Sequence, residues 1–288
     1  MGKYLLRRIL QMIPVVLGTT LLVYALVFAL PGDPVKAMFG DKPVNEAVAA
    51  QIRAEYHLDQ PFIVQYFIYL KNALTLNFGD TFAGQPVLDE ITRAFPVTIR
   101  LGLMAFVFEA IFGVVFGIIS GLKKGKWYDT VILIVSLLLI SVPTFVTGFV
   151  MQYVFGIQWA MLGSVSMAYI IRLTRSEISS NIAEDYVRTA RAKGMSNGQV
   201  MLRHVLRNSL IPVVTYLGQD IGALMGGAMI TEQIFNIHGI GFLTYQSILK
   251  GEANLVVSIV TLLMLIFVVC NLVVDMLYAA LDPRIRYA

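Results

Sequence analysis

An all-α integral membrane protein is the fold class that this sequence predicts, and three observations predict it. The 288 residues are 57% apolar and only 14% charged, with a mean hydropathy of +0.74. The apolar residues fall into runs of membrane-crossing length, for which about 18 residues suffice. Between the runs lie short polar turns, one longer loop and one long basic segment.

Spans are expected near 9–30, 97–121, 130–155, 160–174, 210–230 and 254–280. The first follows Lys3, Arg7 and Arg8 like a signal peptide, but its run is too long for one and no small-x-small site follows. Lys and Arg then sort by side. Lys3, Arg7, Arg8, the 122–129 turn, the 172–208 segment and the tail hold fifteen of them, against seven elsewhere. The basic side is therefore cytoplasmic, with both termini inside. The domain reading is 1–30 for the cytoplasmic N-terminus and first span, 31–96 for an extracytoplasmic loop, and 97–288 for the core. Within that core, 175–209 form a cytoplasmic loop.

The outer loop reads as helical. "LPGDPV" stops the first span, Asn45 caps a helix through about His57, and Pro61 opens an amphipathic helix through Leu76. Pro86 opens a third short helix that leads into the second span. One place runs short. From Trp159 to Arg172 a helix rises only about 20 Å, against about 30 Å of hydrocarbon. Either the fourth span is short and sunk among its neighbours, or residues are missing near Trp159–Met161. The second reading is taken, and a measured mass above 31.9 kDa would show it.

Enzyme chemistry finds no motif. "GLKKGKW" imitates a phosphate loop with the wrong spacing and with Trp127 where a hydroxyl belongs. No HExxH, GxSxG or paired-Cys motif occurs, the three His are scattered, and Cys270 is the one cysteine. Neither a metal nor a cofactor is expected in this chain. Two glycine ladders stand at spacing four: Gly113, Gly117 and Gly121, then Gly218, Gly222 and Gly226. Each ladder lies on one helix face, for tight helix packing or for a surface that slides or lines a passage. Glu109, Asp220 and Asp275 are acids in or near spans, and acids in lipid face a partner or water. Glu109 and Asp220 are candidates for a translocation pathway. So are Ser141, Pro143 and Thr144, where the proline kinks the third span. Pairing with Arg284 or Arg286, or capping of nearby backbone, is the reading for Asp275. Proton relay along the three acids would instead make an ion-gradient-driven secondary transporter, and a membrane scaffold is the other alternative.

The basic segment "EDYVRTARAKGMSNGQVMLRHVLRN", Glu184 to Asn208, carries the most specific pattern. Ala190 and Ala192 would let a helix seat in a groove, Gly194 would permit a sharp exit, and Ser196 and Asn197 would cap a second helix. A loop that only fixed topology would need charge alone. With "LPGDPV", "TEQIFNIHGIGFL" and "NLVVDMLYAALDPRIRY", this segment resembles the binding-protein-dependent ABC importer permeases of the oligopeptide/dipeptide/nickel kind. The likeness covers nearly the whole chain and points to the B-type subunit.

The resemblance implies six transmembrane helices of the type I ABC importer permease kind, in a bacterial inner membrane. It implies a homologous second permease in a heterodimer, two ATP-binding subunits and an extracytoplasmic substrate-binding protein. ATP and Mg would be held by those partners, the cargo would be di- or oligopeptides, and no nucleic acid is involved. Arg188, Thr189, Ala190, Arg191, Ala192, Lys193, Gly194 and Met195 would couple to an ATPase subunit. Two departures stand out. Relatives carry an outer loop between spans three and four, where this chain runs short, and His238 stands where relatives mostly have Pro.

Overall fold

A computed structural model describes residues 2–28, 35, 46–55, 57–81, 83–155, 164–225 and 229–281. The elements among them are helices. They group into two compact units. The first joins Met1–Thr98 with Met225–Val269, and the second joins Ile99–Leu224 with Cys270–Ala288.

In the first unit, α1 (Gly2–Phe28) is followed by α2 (Glu46–Glu55) and α3 (Phe62–Leu74). Asn45, the expected cap of α2, lies outside the described residues. Pro61 caps the start of α3, as its fixed φ favours. Leu76, just past the end of α3, takes a positive φ of 57°. α3 is amphipathic: Tyr66 and Ala73 are buried, while Ile63, Val64, Phe67 and Leu74 are exposed. Its buried face is fastened to α1. The Tyr66 hydroxyl meets Thr20 Oγ1 at 2.9 Å and donates to the Leu17 carbonyl at 3.0 Å. Tyr24 packs within 5.0 Å of Tyr69 and 4.6 Å of Phe28, ring centre to ring centre.

α4 (Val87–Leu122) runs for 36 residues and corrects one expectation. Pro86 does not open a separate short helix; it precedes one long helix that continues through Pro96 into the second span. A proline removes one backbone bond, and a long apolar helix packed on its neighbours retains the rest. The third expected span corrects another. α5 (Trp127–Ser141) and α6 (Thr144–Phe155) meet at a bend of 110°, a break and not a kink. Val142 is held extended, with φ −84° and ψ 128°, because the ring of Pro143 clashes with a helical residue before it.

α7 (Ser164–Asn181), α8 (Asp185–Ala192), α9 (Asn197–Val200), a π-helical turn (Met201–Leu206) and α10 (Arg207–Met225) complete most of the second unit. α11 (Met229–Ile234) and α12 (Ile240–Lys250) belong to the first, and α13 (Ala253–Leu281) ends the described chain. Among the described residues, three stretches are long and apolar enough to cross a membrane: Leu5–Phe28, Val87–Leu122 and Ala253–Met276. The bent α5–α6 pair adds a fourth if it counts as one span. α7 and α10 stand where spans four and five are expected; α7 is interrupted by Arg172, Arg175 and Glu177. The stretch expected to run short, near Trp159–Met161, is outside the described residues.

The "TEQIFNIHGIG" stretch owes its composition to one buried carboxylate. Glu232 is fully buried; its Oε1 accepts from Thr98 Oγ1 at 2.8 Å and its Oε2 accepts from the Phe242 N–H at 2.8 Å. Thr98 Oγ1 in turn accepts from the Ile240 N–H at 2.8 Å. Glu232 and Thr98 together thus satisfy the orphan amides at the start of α12. Burial pushes the Glu232 carboxyl above its ordinary range, against the pull of the Phe242, Thr98 and Gly241 donors. Gly241 is needed because a Cβ there would lie 2.7 Å from the Met229 backbone. Glu232→Ala strands the hydroxyl and amide donors, at a cost of about 1–3 kcal/mol for each buried group. It should lower the apparent melting temperature of the purified protein, and an unchanged melting curve would refute the capping role.

Candidate docking helices and the buried network behind them

α8 and α9 form a compact hairpin with a basic outer face. α8 ends in a Schellman motif. The Gly194 N–H donates to the Arg191 carbonyl at 2.9 Å and the Met195 N–H to the Ala190 carbonyl at 3.3 Å. Gly194 occupies the left-handed position, φ 82°, that the motif gives to glycine. Ser196 then opens α9 through a capping box: Ser196 Oγ accepts from the Gln199 N–H, and Gln199 Oε1 accepts from the Ser196 N–H. Two helix ends are thus satisfied within four residues, and the turn is sharp.

The side chains of this hairpin divide by face. Val187, Ala190, Val200 and Val205 are buried in a cluster with Ile178 of α7; Ile182, Tyr186, Met195 and Met201 pack against it. Arg188, Thr189, Arg191, Ala192, Lys193 and Gly194 are exposed. The two alanines expected to seat together in a groove therefore separate. Ala190 is 5% exposed and turns inward to the cluster, whereas Ala192 faces out. The physical reason is helical phase: Val187 and Ala190, three apart, share the apolar face. Arg188 pairs with Asp185 at 3.5 Å on the surface, an exposed contact of small energy. His204 lies half-buried in the π-helical turn that joins α9 to α10.

Behind the hairpin, α7 is held to α4 and α5. The first glycine ladder lies against α7. A Cβ on Gly113 would meet Ile170 at 2.7 Å, on Gly117 Thr174 at 2.5 Å, and on Gly121 Ile178 at 2.9 Å. Both helices repeat at spacing four, so each glycine receives one side chain. In the second ladder a Cβ on Gly218 would meet Val274 at 2.7 Å; Gly222 is buried and Gly226 lies outside the described residues.

One cluster here escaped the sequence reading. Asp129, in the first turn of α5, is 3% exposed and accepts four bonds. Arg175 of α7 donates from Nε at 2.6 Å and from Nη2 at 2.8 Å. Ser120 Oγ donates at 2.6 Å and the Gly125 N–H at 2.8 Å. The bidentate, charge-assisted bond joins the start of α5 to α7, and the Ser120 bond adds α4. The available signal was an acid in the first turn of an apolar helix, on the side of the chain rich in Arg.

The proposed pathway residues are not one site. Ser141, Pro143 and Thr144 are exposed at the α5–α6 break. Glu109 of α4 is fully buried, so no open surface of this chain reaches it. It lies beside Asp220 of α10, whose Oδ1 accepts from Ser166 Oγ at 2.9 Å. Among the described residues neither Glu109 oxygen has a hydrogen-bond partner, nor has Asp220 Oδ2. Asp275 has an interaction within α13 or its surroundings, while Arg284 and Arg286 lie outside the described residues. No group of three or more metal-ligating side chains occurs among the described residues.

The sequence matches known families along its length. The family of the binding-protein-dependent transport system inner membrane component matches residues 113–287, and that of the N-terminal part of such membrane components matches residues 1–102. The glutathione transport system permease protein GsiC of Escherichia coli (strain K12) is 35% identical over 306 residues, covering 100% of both chains. The GsiC of Salmonella typhi is similar to the same extent, 35% over 306 residues and 100% of both. An alignment longer than 288 residues means that these relatives carry residues that this chain lacks. Among solved structures, an inward facing conformation of the MetNI methionine ABC transporter is similar in fold, with TM-score 0.58 and 18% identity. It covers 67% of this chain and 96% of its own.

Asp129→Ala should cost about 3 kcal/mol or more, because Arg175 keeps a partly buried charge with no partner. Thermal unfolding in detergent measures it; a wild-type melting point would show that the cluster holds nothing together.

Proposed function

The chain belongs to the binding-protein-dependent ABC importer permeases, and from its docking helices we propose how it serves an importer. It forms half of the passage for short peptides beside a homologous second permease. Of two ATP-binding subunits on the cytoplasmic side, one receives the α8–α9 hairpin, and an extracytoplasmic binding protein delivers cargo from the other side. This chain itself catalyses nothing; ATP and Mg belong to the partners. Both termini lie in the cytoplasm.

The observation that carries this reading is the divided hairpin. Its apolar face is spent on α7, and its outward face offers Arg188, Thr189, Arg191, Ala192 and Lys193 to a partner. Fixed ends and small exposed side chains favour seating in a groove, and the charges favour an acidic one. Peptide cargo is supported by relatives named for glutathione, which is a short peptide. The exposed Ser141, Pro143 and Thr144 at the α5–α6 break, with Asp220, remain the pathway candidates.

Coupling would follow alternating access: closure of the ATPases moves the hairpin, and the hairpin moves α7. The rival with an observation behind it is a proton relay through the adjacent Glu109 and Asp220. The two differ in what the purified chain does alone, since only a secondary transporter moves cargo in liposomes without ATP.

Ala192→Glu should reduce substrate-stimulated ATPase activity of the assembled complex by roughly tenfold or more, equivalent to about 1.4 kcal/mol or greater of lost coupling. The four-subunit complex should still assemble. Ala190→Glu, by contrast, buries a charge in the cluster and should reduce the yield of folded protein. Undiminished transport by Ala192→Glu would sink the docking role.

A further inference from the structure

The glycine ladder of α4 has one more step, and it is not a glycine. One turn before Gly113 stands Glu109, and one turn before Ile170 on α7 stands Ser166. The spacing that seats Ile170, Thr174 and Ile178 on the glycines thus sets Glu109 level with Ser166. Glu109 is fully buried, and its carboxyl stands within hydrogen-bonding reach of the Asp220 carboxyl of α10. Asp220 Oδ1 accepts from Ser166 Oγ at 2.9 Å. Among the described residues, no Lys, Arg, His or other donor bonds to either oxygen of Glu109 or to Asp220 Oδ2. The other titratable group facing the pair is Tyr216 of α10, whose ring lies 6.5 Å from that of Tyr169 of α7.

We infer that Glu109 and Asp220 bind one proton between them, carried by Glu109 and donated to Asp220 Oδ2. Two bare carboxylates are acceptors only, so without a proton they repel each other and leave three buried oxygens unmet. One proton turns that repulsion into a charge-assisted O–H···O bond, which is among the stronger kinds. The assignment of the proton follows from the donors. Ser166 already supports a negative charge on Asp220, and nothing among the described residues supports one on Glu109. The pair then carries one negative charge, and release of the proton to water would restore the second.

A metal cation fits this place less well. Hard cations take about six oxygen ligands, and no group of three or more metal-ligating side chains occurs among the described residues. Because Glu109 has no exposed surface, the proton is held in place, and the pair acts as a clasp and not as a relay. It ties α10 to the α4–α7 contact at the point where the glycines end. Between helices in lipid, such polar bonds supply association that apolar burial does not.

The test is infrared spectroscopy of the assembled importer in detergent at neutral pH, in H2O and in D2O, with thermal unfolding alongside. The wild type should show a protonated-carboxyl C=O band that shifts in D2O and that Glu109→Gln removes. Asp220→Asn takes away the charged acceptor and should shift the same band, so the assignment stands even if Glu109→Gln does not assemble. Glu232 is a second buried acid, and neither variant touches it. The amide of Glu109→Gln keeps an N–H donor for Asp220, so this variant should melt close to the wild type, whereas Glu109→Ala should melt lower. Replacing sodium and potassium by N-methylglucamine should change neither the band nor the melting point. The inference is overturned if no carboxyl band responds to either variant, or if Glu109→Gln melts as low as Glu109→Ala. Loss of stability on removing the metal cations would overturn it as well, in favour of a cation between the two acids.

Discussion

α4 and α7 approach so closely that only glycine fits between them, and much of the second unit follows from that contact. Gly113, Gly117 and Gly121 give up their side chains so that Ile170, Thr174 and Ile178 can lie against the α4 backbone. In lipid this is a main source of helix association, because burying apolar surface yields little when the solvent is itself apolar. The last of the three, Ile178, has a second role: it belongs to the cluster that carries Val187, Ala190 and Val200 of the hairpin. The position of the hairpin is thereby referred to α4 through Ile178, and Ile118 of α4 packs against the same cluster.

Polar groups complete what close packing begins. Asp129 and Arg175 are 46 residues apart in sequence, and their bond fixes the start of α5 against the middle of α7. In the first unit Glu232 does comparable work, gathering the start of α12 and Thr98 of α4. Both carboxylates are buried and both are supplied with donors. Glu109 differs, since its neighbour Asp220 is a second acceptor and no donor reaches it among the described residues. That contrast separates two acids supplied with donors from one that, among the described residues, has only another acid beside it.

The sequence told local structure well and tertiary phase poorly. Ser196, Gly194 and Pro61 act through their own backbone or the next few residues, so their roles were legible from type and spacing. The inward turn of Ala190 was not, because it depends on Ile178 from another helix. Nor was the Asp129–Arg175 bond, since nothing local marks which of many arginines an acid will meet. Pro86 and Pro96 show the same limit. Both are helix-breaking residues by type, and only packing decides that the chain runs straight through the second. At Pro143 the opposite holds, and the preceding Val142 is forced out of the helix.

These features together describe a lever with one stiff part and one soft part. From the hairpin to the Gly121 end of α4 and the start of α5, each step is a glycine contact, a buried cluster or a bidentate bond. On the proposed reading, a displacement of the hairpin by a partner passes to α7 and, through it, to α4 and the start of α5. α5 cannot pass that motion unchanged to α6, because the backbone between them is broken at Val142–Pro143 and turned by 110°. The π-helical turn at Met201–Leu206 is a second irregular joint, between α9 and α10. Motion imposed at the hairpin would be absorbed at these two places, and the exposed Ser141, Pro143 and Thr144 lie at one of them. On the proposed reading, the point where the lever bends is also the point where cargo meets the wall.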